Sequence, residues 1–419
     1  MSPRSRRAAV WLGDVLVGHI WSTGPGASTF SLDSGYMRDP ARPVLGARFE
    51  DMRRPRRYGS VVPTWFANVL PEGLLRDLVA AQRGAAGGDD LDLLIAVGAD
   101  LPGNVRVTAA DTDDAAPPAQ APFAATDEPG AAASGLIKFS LAGVQLKFSM
   151  YSDRQRRLRL NGARDDTAVI VKTPDAVHAN ACENEFLVMS WAAASGVHVP
   201  PISLVPLEHL EGLPPRLSLP TGLAFAIERY DRSASGRIHQ EDMCQVLDHP
   251  PTAEGKYRRS SYEEVGRAIA SLAEAESLAD VREYVRRLVF MVASGNGDAH
   301  LKNWSLLYPD GLNARLAPAY DLMATIVYPQ YADECLALPL DNSRRFADVK
   351  RQSFRGIARR TGRDEATVLG WVDEAVERTL DAWNGAIRQL AGTLQLPDRF
   401  VETLERHMAS VPLLQVRLR

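Results

Sequence analysis

The chain has 419 residues, of which 45% are hydrophobic and 24% charged, with a formal net charge of −4. This length exceeds one ordinary core, so two or three domains are expected, and the near-neutral charge argues against a global basic field of the kind that draws nucleic acid. Cys182, Cys244 and Cys335 stand far apart with no Cys-x-x-Cys, which speaks against a disulfide framework or a zinc site and fits a reducing cytoplasm.

The basic start is followed by Ala8 to Ile20, broken by Gly13, Asp14 and Gly18, which makes a poor signal-peptide core. No apolar run reaches the roughly 18 residues of a membrane span, so no membrane partner is expected. Residues 10–20 read as two short β-rich runs around Gly-Asp, a hairpin, and Phe30 to Leu32 adds a strand. From Pro63, Trp65, Phe66, Val69, Leu70, Leu74, Leu75, Leu78 and Val79 recur at helical spacing. Leu91 to Val97 predicts a helix and Asn104 to Val107 a strand, so 1–108 reads as a small α+β unit. Residues 109–135 are almost all Ala, Pro, Asp, Gly and Thr, and read as a flexible linker or long loop. In 136–230 the β candidates are Leu146 to Tyr151, Leu158 to Leu160, Ala168 to Lys172 and Ala224 to Tyr230, with a helix from Ala181 to Ala194. Residues 231–419 are expected to be helical: Tyr284 to Val292 reads as a buried helix. Val368, Val372, Val376, Leu380, Trp383, Ile387 and Leu390 trace one face of a long amphipathic helix.

A β-rich lobe followed by a helical one is the arrangement in which kinases hold ATP, and the polar residues fall in a matching order. Lys172 ends the apolar run Ala168-Val-Ile-Val-Lys172, where its ammonium can reach ATP phosphates or simply snorkel from the strand end. Ser140-Leu-Ala-Gly-Val-Gln-Leu-Lys147 is a small-residue turn before a strand, able to lay backbone N–H groups on phosphate, although it is neither a Walker A loop nor a Gly-x-Gly-x-x-Gly. Glu183 and Glu185 both follow on the next helix, and spacing alone leaves open which of them pairs with Lys172. Phe225 to Asp231 stands at the hinge position, where main-chain groups meet adenine. Then comes Ser294-Gly-Asn-Gly-Asp298-Ala-His-Leu-Lys-Asn303, with a further Asp in Tyr320-Asp321. Asp298 is placed to take the proton of an acceptor hydroxyl, Asn303 and Asp321 to ligate Mg²⁺ through hard oxygen atoms, and His300 and Lys302 to neutralise phosphate charge. Each residue alone has a structural reading as a turn, cap or surface group; the order of the set is what points to phosphoryl transfer.

With these motifs in line, the chain resembles the HipA family of toxin kinases from about Val10 to about Leu390. The resemblance is carried by Ser140 to Lys147, Glu183-Asn-Glu-Phe, Glu228-Arg-Tyr-Asp231, His239-Gln-Glu-Asp-Met-Cys-Gln245, Gly297 to Asn303 and Tyr320-Asp321, together with Pro63-Thr-Trp-Phe-Ala-Asn-Val-Leu-Pro-Glu-Gly in the N-terminal unit. The run Gln240 to Gln245 has no catalytic logic of its own. The resemblance implies an α+β, two-lobed protein-kinase-like fold with a β-rich N-lobe over 136–230 and an all-helical C-lobe over 231–419, preceded by an N-terminal α+β subdomain over 1–108. It also implies a serine/threonine protein kinase, the toxin of a type II toxin–antitoxin pair. Its partner would be a small HipB-like helix-turn-helix antitoxin, with operator DNA met mainly through that antitoxin, and its target a protein such as an aminoacyl-tRNA synthetase. By position, Asp298 is then the catalytic base. Ala142, Gly143, Val144, Gln145, Leu146, Lys147, Lys172, Glu228, Arg229, Tyr230, His300, Leu301, Lys302, Asn303, Tyr320 and Asp321 bind ATP or its Mg²⁺, and Ser140 is the autophosphorylated serine. The chain departs from the family pattern at Leu146, where Glu is frequent, and at Ala299, where Gly is frequent; neither removes a charge that the mechanism needs.

Two other readings compete. A small-molecule kinase of the aminoglycoside or choline type also uses an Asp-x4-Asn loop followed by a metal-binding Asp, but the N-terminal unit and the Gln240 to Gln245 run argue against it. A non-catalytic co-repressor that bridges antitoxin on DNA is compatible with the resemblance. Arg344, Arg345, Lys350, Arg351, Arg355, Arg359 and Arg360 form a local basic cluster that reads as a solvated helix face or as a phosphate contact to operator DNA.

Overall fold

The computed structural model describes residues 7–24, 26–73, 76, 89–110, 147–153, 157–160, 167–174, 177–213, 221–332 and 335–415. The first unit is a five-stranded sheet in the order β4-β3-β2-β1-β5, built from β1 (Arg7–Leu12), β2 (Val15–Gly24), β3 (Ala27–Leu32), β4 (Arg56–Tyr58) and β5 (Val105–Ala109). Gly13 turns the expected β1–β2 hairpin with φ +57°, a left-handed conformation that costs glycine little. Of the helical pattern after Pro63, the described part is the short helix Thr64–Ala67, while Leu74, Leu75, Leu78 and Val79 lie outside the described residues. The helix expected near Leu91 spans Asp90–Val97 and is capped by Asp89, whose carboxylate accepts from two first-turn N–H groups.

The second sheet has six strands in the order β10-β7-β6-β8-β11-β9: β6 (Lys147–Ser152), β7 (Leu158–Arg159), β8 (Thr167–Lys172), β9 (Ile202–Pro206), β10 (Leu210–Glu211) and β11 (Leu223–Glu228). Its side chains alternate strictly between faces, as a pleated strand requires. Phe148, Met150, Val169, Val171, Ala224 and Ala226 point to one face and share a core with the N-terminal sheet. Phe225 and Ile227 point to the other and join the large core of the helical lobe, packed against helix Ala181–Ala194.

The helical lobe is built on the buried helix Ser277–Ala293 and the amphipathic helix Glu365–Ala382. Two details differ from expectation. The lobe is not wholly helical: β14 (His239–Asp242) pairs with β15 (Ser305–Tyr308), which pairs with β16 (Arg315–Leu316), and a β12–β13 ribbon (Arg232–Ser233, Gly236–Arg237) precedes them. The long helix expected as far as Leu390 is broken after Ala382 by a π turn over Trp383–Ile387, in which Gly385 takes φ −84°, ψ −114°, before Arg388–Thr393 resumes. Glycine accepts this backbone, and such insertions are a recognised cause of kinks. Among the described residues no helix is long and apolar enough to cross a membrane.

Candidate active site

Strand register places the first two site residues. Lys147 stands opposite Lys172 across β6 and β8, so both side chains leave the face opposite Phe148 and Val171, into a cleft of about 500 Å³ between the lobes. The Lys172 ammonium lies 2.5 and 2.6 Å from the two oxygens of Glu185 and also bonds Asp321. Lys147 lies 3.4 Å from Asp321. Burial works against the charge on Lys172, but Asp321 and Glu185 outweigh it and hold its pKa above the ordinary lysine value. Burial likewise opposes the Asp321 carboxylate, and Lys147 and Lys172 reverse that, holding its pKa far below the usual range. The partner left open by the sequence is therefore Glu185, which is 2% exposed, while Glu183 is half-buried on another side of the helix.

Asp298 follows the glycine turn after helix Ser277–Ala293. Gly295 has φ +63°, and a Cβ there would lie 2.4 Å from the Ile326 side chain, so the loop needs glycine at this point. The Asn296 amide accepts from the Asp298 N–H at 3.0 Å, and Gly297 N–H donates to Thr325 Oγ1 at 2.9 Å, which ties the loop to the segment following Asp321. The Asp298 carboxylate accepts from the Tyr257 phenol at 2.5 Å. Asn303 donates through Nδ2 to Asp321 Oδ2 at 3.3 Å, and its buried Oδ1 has no hydrogen-bond partner among the described residues. An orphaned amide oxygen beside an ionised carboxylate is the hard-oxygen pair that Mg²⁺ favours, so these residues fit that ion. Asp321 takes φ +59°, a left-handed conformation uncommon outside glycine that Asp tolerates better than most residues.

The remaining expected residues are placed unevenly. Ser140, Ala142, Gly143, Val144, Gln145 and Leu146 lie outside the described residues. Glu228, Arg229 and Tyr230 line the cleft at the end of β11, with Tyr230 tilted against Tyr320 at 5.8 Å. The Arg229 guanidinium, however, is turned to Asp231 at 2.8 and 2.9 Å and to Asp100 of the N-terminal unit, so it acts as a tie within the protein. Tyr320 donates to the Lys302 carbonyl at 2.7 Å. Leu301 is fully buried in the large core and does not line the cleft.

Two expected cations have other surroundings. Burial, followed by Lys256, pushes the His300 pKa down to about 3, against the charged form expected to meet phosphate. The Lys302 ammonium is committed to Asp242 at 3.1 Å and to the Asn68 carbonyl at 2.5 Å. It clamps the loop to the N-terminal unit at the edge of the cleft that Lys302 also lines.

Sequence reasoning missed two groups. Asn184 grips the main chain of Ala324 from both sides, donating to its carbonyl and accepting from its N–H, each at 3.0 Å. One turn of helix thus orients Lys172 through Glu185 and the Asp321 segment through Asn184. The run His239–Gln245 proves to be the mount for the N-terminal unit. His239 bonds the Leu45 carbonyl at 2.8 Å, and the fully buried Glu241 accepts from Trp65 Nε1, Ala47 N–H and Tyr308. Asp242 and Gln245 form a reciprocal helix cap, and Gln245 reaches the Trp65 carbonyl.

The chain is similar to known proteins over most of its length. Residues 8–108 match the HipA N-terminal domain and residues 139–383 the HipA-like C-terminal domain. The Sinorhizobium fredii protein Y4dM, which carries a kinase name, is 36% identical over 395 residues, covering 93% of both chains. The serine/threonine-protein kinase toxin HipA of Shewanella oneidensis is 24% identical over 368 residues, covering 79% of this chain and 78% of that one. A chain of the solved Shewanella oneidensis MR-1 complex of HipA, HipB and operator DNA superposes with a TM-score of 0.63 at 19% identity, covering 97% of this chain and 96% of the other. That likeness establishes the shared two-lobed α+β fold.

Proposed function

This chain belongs to the HipA family, and from that premise we propose that it is a kinase that transfers the γ-phosphoryl of ATP to a serine or threonine hydroxyl of a protein. The observation that carries the reading is the convergence on one cleft of Lys172 and Glu185 from the β-rich lobe with Asp298, Asn303 and Asp321 from the helical lobe. Lys147 and Lys172 present ammonium groups to the phosphate oxygens. Tyr230 and Tyr320, with Ile170 and Ile227, wall the cleft, and the main chain at Glu228 to Tyr230 offers the adenine contacts. Asn303 and Asp321 would hold Mg²⁺, which neutralises charge on the phosphates when bound. The acceptor oxygen forms a bond to the γ-phosphorus, the bond to the β–γ bridging oxygen breaks, ADP leaves, and the acceptor proton passes to Asp298. Most of the acceleration comes from alignment and fixed charge, since the protein makes no covalent bond of its own.

The finer reading is a toxin of the toxin–antitoxin type, acting in the cytoplasm on a translation protein such as an aminoacyl-tRNA synthetase. It would be restrained by a small helix-turn-helix antitoxin on operator DNA and by autophosphorylation of Ser140. Support comes from the named Shewanella oneidensis relatives. Of the basic cluster, Arg351 and Arg355 pair with Asp373 and Glu365, whereas Arg345, Lys350, Arg359 and Arg360 are exposed and available to DNA phosphates.

The test is Asp298→Asn in the full chain, with γ-labelled ATP, heat-treated bacterial extract as acceptor, and phosphoamino-acid analysis of the product. Transfer should fall by about 10²- to 10⁴-fold, the usual contribution of a general base, with nucleotide affinity retained. Undiminished transfer, or label only on small alcohols, overturns the assignment.

A further inference from the structure

Tyr257 is a group that no sequence motif singled out, yet its phenol meets the acceptor-side carboxylate. It closes the short helix Ala253–Tyr257, and several features fix that helix. Thr252 caps it through the Gly255 N–H at 3.3 Å. A Cβ at Gly255 would lie 2.0 Å from the Pro250 carbonyl oxygen, so the helix sits in a space that admits only glycine there. Lys256 is ion-paired with Glu72 of the N-terminal unit. The Tyr257 ring stands edge-on to His300, 4.9 Å between centroids at 88°. The outcome is a hydroxyl held 2.5 Å from Asp298 Oδ1.

We propose that Tyr257 is a positioning residue for the transfer reaction: it donates to one oxygen of Asp298 and so sets the plane of the carboxylate, directing the other oxygen at the acceptor hydroxyl. An aspartate has a broad, roughly two-fold preference about its last torsion, so the carboxylate plane is undefined until a donor fixes it. A carboxylate has about four lone-pair sites on two oxygens, and the phenol takes one of those on Oδ1. The helix that carries Tyr257 is anchored through Lys256 to Glu72, which makes the N-terminal unit a remote support for the base. This inference rests on the kinase reading above.

The experiment uses the full-length protein, γ-labelled ATP and heat-treated bacterial extract as acceptor. Tyr257→Phe retains the ring against His300 and removes only the donor. The kcat for transfer should drop by about ten- to a hundredfold, the scale of a small misplacement of a reacting group, while KM and binding affinity for ATP stay at wild-type values. Incorporating p-aminophenylalanine at position 257, which restores a para N–H donor, should recover most of the lost kcat. A merely structural role predicts instead that the Phe variant and the p-amino variant behave alike. A Phe variant as fast as wild type overturns the inference, and so does one that is faster, since the phenol would then be an obstruction. Failure of the p-amino variant to recover kcat, with its nucleotide affinity intact, also overturns it. In both cases an active wild type leaves the kinase reading standing, whereas a wild type that transfers no label overturns that reading and this inference with it.

Discussion

Replacing Lys172 with Met tests whether the ion pair at the centre of the cleft behaves as a unit. The ammonium lies 2.5 and 2.6 Å from the two oxygens of Glu185, and both residues are under 5% exposed. At an effective dielectric of about 20, charges that close attract by about 6 kcal/mol, against a desolvation penalty of several kcal/mol for each ion. The intact pair therefore contributes little net stability, but breaking it leaves Glu185 buried without its cation, in a site where burial already pushes its carboxyl up. Lys172→Met should cost about 3 to 5 kcal/mol. Glu185→Gln should cost less, because Lys172 retains Asp321. The double variant no longer buries a lone carboxylate, so it should be more stable than the sum of the singles predicts by about 1 to 3 kcal/mol. Urea unfolding at pH 7.5, extrapolated linearly with shared slopes, measures all four proteins. Additivity within about 0.5 kcal/mol would refute the idea that the pair is coupled.

Asn184→Ala strands both main-chain groups of the buried Ala324 and should cost about 2 to 4 kcal/mol in the same urea assay, with phosphoryl transfer falling more steeply than nucleotide binding. Gly295→Ala forces a left-handed alanine against Ile326 and should lose about 2 to 4 kcal/mol, part of it recovered by adding Ile326→Val; no recovery would place the cost in the backbone alone. Burial depresses His239 from 6.5 to about 4. Above pH 6.5 neither state carries its proton and the contribution is intact; as pH falls toward 4 the unfolded chain binds a proton that the folded chain refuses. The loss should total about 3 kcal/mol over that window, and His239→Gln should flatten the slope of stability against pH.

The order of charged residues along the chain made the cleft between the lobes legible, because Lys172, Asp298 and Asp321 belong to a strand end or turns whose local pattern is plain. The choice between Glu183 and Glu185 was not legible, because both lie on apolar stripes of one helix, Glu183 with the buried Leu187 and Trp191 and Glu185 with the buried Val188 and Ala192. The tasks of Lys302 and of His239–Gln245 were not legible, since their partners Leu45, Trp65 and Asn68 lie more than 170 positions away and nothing local encodes that meeting. The charge state of His300 also depends on burial, which only the packed lobes create. Tyr257 resembles any tyrosine at the end of a short helix until the fold sets it beside Asp298.

The carboxylate of Glu241 has a consequence for which substitutions this protein tolerates. It receives donors from Trp65 and Ala47 on one side and from Tyr308 on the other, with no exposure of its own. A substitution at Trp65 alone strands a buried acceptor, and one at Glu241 alone strands a buried indole N–H, so either change alone costs stability. A pair of residues 176 positions apart thereby fastens the first hundred residues to the lobe that they support.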